Sequence, residues 1–328
     1  MTTKAGLKLV DLDESGVDNA FRADVLKGLG QAQKAVPARW FYDDAGSQLF
    51  EDITALEEYY PTRAETEILR DHSEEFAGLI ASGCAVVEFG SGSSVKTPLL
   101  LRAIDPAAYV PLDISGDFLR AAAQDLSDKF PGLPVHPVEA DFMRRVELPK
   151  AVEHLPKLGF FPGSTIGNMV ARTAVDLLRS MRETLGVGAQ LLIGMDLIKD
   201  RQVLLDAYDD AQGVTARFNL NLVHRINREL EGDIPADRLA HEARWNDDYA
   251  RIEMHLVAQG ALEFEVAGAR FTMQDGETIH TENSHKFNRR TANMLLLAGG
   301  WEPRMRWLDK AGRFALILAS AQAERGAP

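Results

Sequence analysis

Val86-Val87-Glu88-Phe89-Gly90-Ser91-Gly92-Ser93-Ser94-Val95-Lys96-Thr97 is the stretch on which the fold turns. The apolar run Ala85–Phe89 reads as a strand buried on both faces. It breaks into Gly-Ser-Gly and then enters a helical pattern, Lys96 to Ile104. A strand that feeds a glycine turn and then a helix makes a ligand cradle. Backbone N–H groups and the helix N-terminus converge there on one spot.

Three ligands compete for that cradle. A phosphate-binding loop needs Gly-Lys-Ser/Thr at its end, and here Val95 precedes Lys96. A dinucleotide fingerprint needs a third glycine where the helix packs on the strand. Val95 holds that place, which weakens NAD or FAD without removing them. S-adenosylmethionine sites tend to show an acid before the glycines, here Glu88, then Gly90 and Gly92, then a second acid ending the next strand. Asp113 ends Ala108-Tyr109-Val110-Pro111-Leu112, one strand-helix-strand step further on. A carboxylate there accepts from both ribose hydroxyls, a need shared with NAD, so Asp113 alone does not discriminate.

Outward from the cradle, the pattern repeats. A helical segment at 64–80 leads in. A helix near Phe118–Lys129, a strand Val135–Glu139 closing on Asp141, a strand Leu158–Phe161, a helix Arg172–Leu185 and a strand Gln190–Asp196 follow. Alternating strands and helices predict a doubly wound parallel sheet. The pattern then changes. Residues 1–60 read as mainly helical, with a helix around Val17–Gln33, and Gln202–Leu230 reads as one helical span. Arg251–Val257 and Leu262–Val266 alternate with period two, the sign of half-buried antiparallel strands. A helix at Arg289–Ala298 and a hairpin, Trp301–Trp307 with Phe314–Ala319, close the chain. The predicted fold class is α/β, with residues 64–198 and 287–328 forming the sheet domain. A second, smaller α+β domain takes 1–63 and 199–286. The terminal hairpin is how methyltransferase sheets end, which tilts the cradle toward S-adenosylmethionine.

The 328 residues are 45% hydrophobic with a net charge of −13. That composition is globular. No basic face for nucleic acid is visible. Cys84 is the only cysteine, so there is no disulfide framework; at the border of a buried strand it reads as packing. The eight histidines show no close metal-ligand spacing, and no metal is expected. No signal peptide and no apolar run of about 18 residues is seen. The expectation is a cytoplasmic monomer that needs neither membrane nor nucleic acid.

Four further clusters carry chemistry. Tyr59-Tyr60-Pro61-Thr62-Arg63 joins the N-terminal region to the sheet domain; Thr62 is a candidate helix cap. The phenols offer polar contacts from apolar bodies, although two tyrosines also serve as simple packing. Gly163-Ser164-Thr165-Ile166-Gly167-Asn168 follows a strand at the carboxyl edge of the sheet. Asn168 offers both a donor and an acceptor, which suits an amino-acid head group. Asp141-Phe142 could bracket an adenine. Thr281-Glu282-Asn283-Ser284-His285-Lys286-Phe287 reads as a polar loop at a domain boundary, where Glu282 and Ser284 could hold a nitrogenous ring.

Assembled, these motifs resemble the bacterial L-histidine Nα-methyltransferases of ergothioneine biosynthesis, across nearly the whole chain. Trp40-Phe41-Tyr42-Asp43, Tyr208-Asp209-Asp210 and Arg251-Ile252-Glu253-Met254 belong to the match, with the clusters above. The resemblance implies a class I, Rossmann-like methyltransferase sheet and S-adenosylmethionine as co-substrate. It implies L-histidine as small-molecule substrate and three methyl transfers giving hercynine. The alternative is a related N-methyltransferase acting on another aromatic amino acid or amine. Carried over by motif, the cofactor site falls on Gly90, Lys96, Asp113, Asp141 and Phe142; Glu88 and Gly92 join them from the reading of the cradle. The histidine site falls on Tyr42, Tyr59, Asn168, Tyr208, Met254, Glu282 and Ser284. Within it, Asn168 and Tyr208 hold the amino-acid end, and Glu282 and Ser284 hold the imidazole. Tyr42 and Asn168 are the catalytic candidates, Tyr42 as a proton relay. Asn283 and His285 depart from the family pattern.

Overall fold

The computed structural model describes residues 16–92, 96–114 and 116–322. Val95, which weighs in the cofactor reading, lies outside the described residues, as does the polar start of the chain. The chain divides into two units, 1–60 with 199–285 and 61–198 with 286–328.

The first unit opens with α1 (Asn19–Leu29), the short strand β1 (Lys34–Ala35), a 3-10 turn at Ala38–Phe41 and α2 (Asp44–Ala55). The second opens with α3 (Pro61–Asp71), α4 (Ser73–Leu79), β2 (Ala85–Phe89), α5 (Thr97–Ile104) and β3 (Ala108–Asp113). It continues through α6 (Gly116–Lys129), β4 (Val138–Glu139), β5 (Lys157–Phe161), α7 (Ala171–Leu185) and β6 (Gln190–Asp196). The first unit resumes with α8 (Arg201–Asp206), α9 (Val214–Glu229), β7 (Leu239–Asn246), β8 (Arg251–Ala258), β9 (Leu262–Val266), β10 (Ala269–Met273) and β11 (Thr278–His285). The second closes with α10 (Arg289–Ala298), β12 (Trp301–Leu308) and β13 (Phe314–Ala321).

The larger sheet has seven strands in the order β12-β13-β6-β5-β2-β3-β4. Strands β2 to β6 are parallel; β13 runs antiparallel to β6, and β12 to β13. This is the doubly wound α/β sheet with its terminal hairpin. The central strand β2 is buried at every position, and Val86, Val87 and Phe89 are at most 1% exposed. Burial of each such side chain contributes about 1.5–3 kcal/mol. Strand order reverses between β2 and β5, so the loops leaving their carboxyl ends flank a crevice, the usual ligand position of this topology. Those loops begin at Gly90 and Pro162.

Three expectations are corrected. Pro61 takes the first helical position of α3, where its missing N–H costs nothing, so Thr62 lies inside the helix and caps nothing. The strand expected at Val135–Glu139 is reduced to Val138–Glu139 plus one bridge at Val135, because Pro134 and Pro137 remove ladder donors. Gln202–Leu230 is two helices. Gly213 adopts φ +66°. The Asp210 carboxylate accepts the Val214 and Thr215 N–H groups at 3.0 and 2.7 Å, starting α9 afresh.

In the first unit, β1-β11-β8-β7 form a second sheet, and β9 pairs with β10. Thr281–His285 is therefore not a loop but the far half of a strand, bonded antiparallel to β8. Its polar side chains hide it from a hydropathy reading. The register slips between His280 and Glu282, so Thr281 forms a bulge. Glu282 lies opposite Met254, and His280 opposite His255. Since neighbours on β8 point to opposite faces, the bulge sends Glu282 and His280 to opposite sides of the sheet.

Candidate active site

The larger unit gathers the expected cofactor residues at the carboxyl edge. Gly90 sits at φ +75°, a conformation that L side chains rarely adopt. Its N–H and that of Ser91 both donate to the Leu112 carbonyl, at 2.9 and 3.2 Å. A Cβ on Gly90 would lie 3.6 Å from Phe142 Cζ, so the aromatic ring stands against the turn. Phe142 is steadied edge-on by Phe89 and Phe161, with centroids 6.0 and 6.3 Å away. Asp113 ends β3 half-buried, and Asp141 Oδ1 accepts the Met143 N–H at 3.0 Å. A glycine turn, an aromatic face and a carboxylate after the next strand fit an adenosine: the acid for the ribose diol, the ring for the base. Gly92 is exposed, with open space where a side chain would project.

Glu88 differs from its expected place among the cofactor contacts. It is fully buried, and its Oε2 accepts from Thr97 Oγ1 at 2.7 Å and Tyr109 OH at 2.6 Å. The acid braces β2, β3 and the start of α5 from beneath the turn. Burial pushes its carboxyl up to about 7, against the pull of those two hydroxyls. Cys84 is likewise buried, its thiol pushed up to about 11 by desolvation; it is packing, not a nucleophile.

Glu65 escaped the sequence reading. It is 0% exposed on α3. Its Oε2 accepts from Lys96 Nζ at 2.7 Å and from the Gly163 N–H at 2.8 Å. The loops after β2 and β5 are thus tied through one carboxylate. An acid on the apolar stripe of an amphipathic helix was the available signal. Asn168 ends the 3-10 turn Thr165–Asn168, half-buried. Ser164 enters that turn at φ 57°, and its hydroxyl accepts the Asp196 N–H at 2.9 Å.

The smaller unit gathers the other group. Tyr208 and Ser284 hydroxyls meet at 2.7 Å, and both residues are buried. Tyr59 stands edge-on to Tyr208, centroids 6.3 Å apart. Phe50 lies between Tyr42 and Tyr59, at 5.6 and 6.2 Å, and Phe218 closes on Tyr42 at 5.8 Å. Tyr42 keeps 44% of its surface exposed. Its hydroxyl end is nevertheless desolvated and lies in the field of Glu282, Tyr59 and Tyr208, which hold the phenol well above its ordinary value. Met254 faces the same side as Glu282. Tyr42, Tyr59, Tyr208, Glu282 and Ser284 therefore form one polar group on an aromatic wall. Phe50 and Phe218 are additions that no sequence pattern marked.

A buried network supports it. Thr281 Oγ1, on the bulge, donates to Asn219 Oδ1 at 2.7 Å. Asn219 Nδ2 reaches His241 Nδ1 at 2.8 Å and the His255 carbonyl at 3.1 Å. His241 Nε2 meets the Tyr208 carbonyl at 2.8 Å and, as an N–H, donates to it. Desolvation depresses His241, consistent with a neutral imidazole bridging Asn219 and Tyr208. Glu282's strand and Tyr208's turn are thereby linked through α9. Asn283 and His285, the two departures from the family pattern, alternate with Glu282 and Ser284 and so point to the other face of the sheet.

Comparison with known proteins shows the family of the chain. The family described as histidine-specific methyltransferase, SAM-dependent, matches residues 21–321. The histidine N-alpha-methyltransferase of Mycobacterium tuberculosis is 41% identical, the match covering 94% of this chain and 97% of that protein. The enzyme of the same name from Mycolicibacterium smegmatis is also 41% identical, over 92% and 94%. Ergothioneine biosynthesis protein 1 of Neurospora crassa is 32% identical over 84% of this chain, which spans 32% of that longer protein.

Proposed function

The chain belongs to the histidine-specific, SAM-dependent methyltransferase family, and from that premise we propose that it methylates the α-nitrogen of L-histidine. We assign three successive transfers, giving hercynine for ergothioneine biosynthesis. The observation that carries this reading is the Tyr208–Ser284 hydroxyl pair beside Glu282. An imidazole, donating from one ring nitrogen and accepting at the other, suits a carboxylate and a hydroxyl placed together; a phenyl ring would leave both unmatched, and an indole offers one donor and no acceptor nitrogen.

S-adenosylmethionine supplies a methyl already activated on a sulfonium. The protein's contribution is placement. Gly90, Asp113, Asp141 and Phe142 hold the donor in this proposal, with Lys96 oriented by Glu65. Glu282 and Ser284 hold the imidazole, Glu282 favouring the tautomer that donates to it. Tyr208 and Asn168 hold the amino-acid end. Tyr42 stays protonated and orients the amine by accepting one of its N–H groups on the phenol oxygen, which leaves the nitrogen lone pair free to attack; the amine's own proton passes to water. Each transfer removes an N–H from the acceptor, so later steps rely on contacts to the ring and the carboxylate. The phenyl and phenol faces of Phe50, Tyr42 and Tyr59 suit the growing quaternary cation.

The test is mass spectrometry of products from a panel of amino acids incubated with S-adenosylmethionine. Histidine should give species with one, two and three added methyl groups. A panel in which tryptophan or tyrosine is methylated and histidine is not would overturn the assignment.

A further inference from the structure

The face of the β8–β11 ladder opposite Glu282 carries a second cluster. Glu253 and His255 are two apart on β8, and His280 lies across from His255 on β11. One ligand atom from each of the three lies within 4.8 Å of the others. The spacing was invisible in sequence because β11 supplies the third residue through long-range pairing. From this geometry we infer that Glu253, His255 and His280 form a binding site for a divalent transition-metal ion of the zinc, cobalt or nickel class.

Each donor has a partner that orients it. His280 Nε2 meets the Glu282 carbonyl at 2.9 Å; as an N–H donor there, it leaves Nδ1 with a lone pair. This is how metal-binding histidines are oriented from behind. His255 Nδ1 meets Thr278 Oγ1 at 3.1 Å, and its Nε2 faces Glu253 Oε2 at 3.3 Å. That separation is long for a charge-assisted hydrogen bond. It matches the roughly 3.3 Å between neighbouring ligands on a tetrahedral ion with bonds of about 2.0–2.1 Å. The other Glu253 oxygen is occupied, accepting from Arg251 Nε at 2.7 Å and Asn246 Nδ2 at 3.0 Å. Only Oε2 remains for an ion.

An independent observation points the same way. Asn283 lies opposite Glu253 in the ladder and interacts with the His280 ring. Its Oδ1 is buried and, apart from that approach to the His280 ring, has no hydrogen-bond partner among the described residues. A buried amide oxygen left unmatched is unfavourable, and a cation would satisfy it as a further oxygen ligand. The two imidazoles are stacked at 4.7 Å and nearly parallel, at 17°, so one ring must turn about its side-chain bonds to bring both lone pairs onto one ion; both are depressed, chiefly by burial. They stand neutral at physiological pH, the form that binds metal. Arg251 and Arg244 oppose a cation, but each is paired, to Glu253 and to Glu242. Imidazole donors select the zinc, cobalt and nickel group over calcium or magnesium.

The experiment uses tag-free protein stripped with chelator and titrated at pH 7.5 with Co(II), read by visible absorption, and with Zn(II), read by calorimetry. One saturable equivalent is expected, together with a rise in melting temperature on adding the ion. His280→Ala and Glu253→Gln should each lose at least tenfold in affinity, whereas His154→Ala, an exposed site elsewhere, should not. Both test positions are only partly buried, and circular dichroism verifies their fold. Absence of saturable binding in the wild type, or equal affinity in folded variants, would overturn the site. Neither readout depends on methyl transfer.

Discussion

Lys96 Nζ donates to Glu65 Oε2 at 2.7 Å, and the same oxygen accepts the Gly163 N–H at 2.8 Å. One buried carboxylate on α3 thereby ties the loop after β2 to the loop after β5, on either side of the strand-order reversal. Glu65→Gln keeps the shape and removes the charge. A hydrogen bond to a charged group contributes about 1.5–3 kcal/mol, so S-adenosylhomocysteine should bind roughly tenfold or more weakly by calorimetry. Unchanged affinity in a folded variant would reduce Glu65 to a packing group.

Glu282→Gln should weaken histidine binding by about 1.5–3 kcal/mol, on the order of 10–100-fold, and leave S-adenosylhomocysteine binding intact. Asn283→Ala is the matched control from the other face of β11. It should keep the KM for histidine within about threefold, in line with substitutions away from the site. Equal effects from both variants would contradict the face assignment.

Tyr42 separates orientation from base catalysis. Desolvation and then the Glu282 charge hold its phenol above the ordinary value of 10.0, so it does not titrate in the working range. Tyr42→Phe should lower kcat about tenfold or more and leave the shape of the kcat/KM profile between pH 6 and 9 unchanged. Loss of a titrating limb in the variant would instead identify Tyr42 as the base.

Glu88 makes stability depend on pH. Its folded value of about 7 stands above the ordinary glutamate value of 4.5. Between those values the folded chain keeps a proton that the unfolded chain has released. Stability is therefore greatest below about pH 4.5 as far as this group is concerned, and falls as pH rises toward 7. The loss is about 3 kcal/mol, at 1.36 kcal/mol per pH unit. Urea unfolding of the wild type and Glu88→Gln from pH 5 to 8 should show a smaller decline in the variant. Parallel curves would refute the protonated, buried acid.

Much of the larger unit could be read from the chain. Ala85–Phe89, Gln190–Asp196 and Arg289–Ala298 have the bounds that their periodicity predicts, because a fully buried strand and an amphipathic helix declare themselves locally. The turn at Gly90 and the acid at Asp113 follow from the same local logic. The polar strand β11 could not be read this way. Nothing in Thr281-Glu282-Asn283-Ser284-His285 alternates in hydropathy, since its stabilisation comes from pairing with β8 and cover by α9. Glu65 and Asn219 were missed for a related reason. Each is a polar residue on a helix, and only the neighbour brought to it by folding gives it a role.

By itself, then, the sequence determined the order of strands and helices, the glycine turn with its following acid, and the residue types offered to donor and acceptor. These depend on contacts within a few residues, where spacing is chemistry. The tertiary structure alone decided which way each group points. It turned Glu88 inward as a brace. Through one extra residue at Thr281, it put Glu282 and Ser284 on the side of Tyr208 and sent His280 and Asn283 to the opposite face with Glu253 and His255. Register is set by long-range pairing, and a slip of one residue reverses the face of every side chain beyond it.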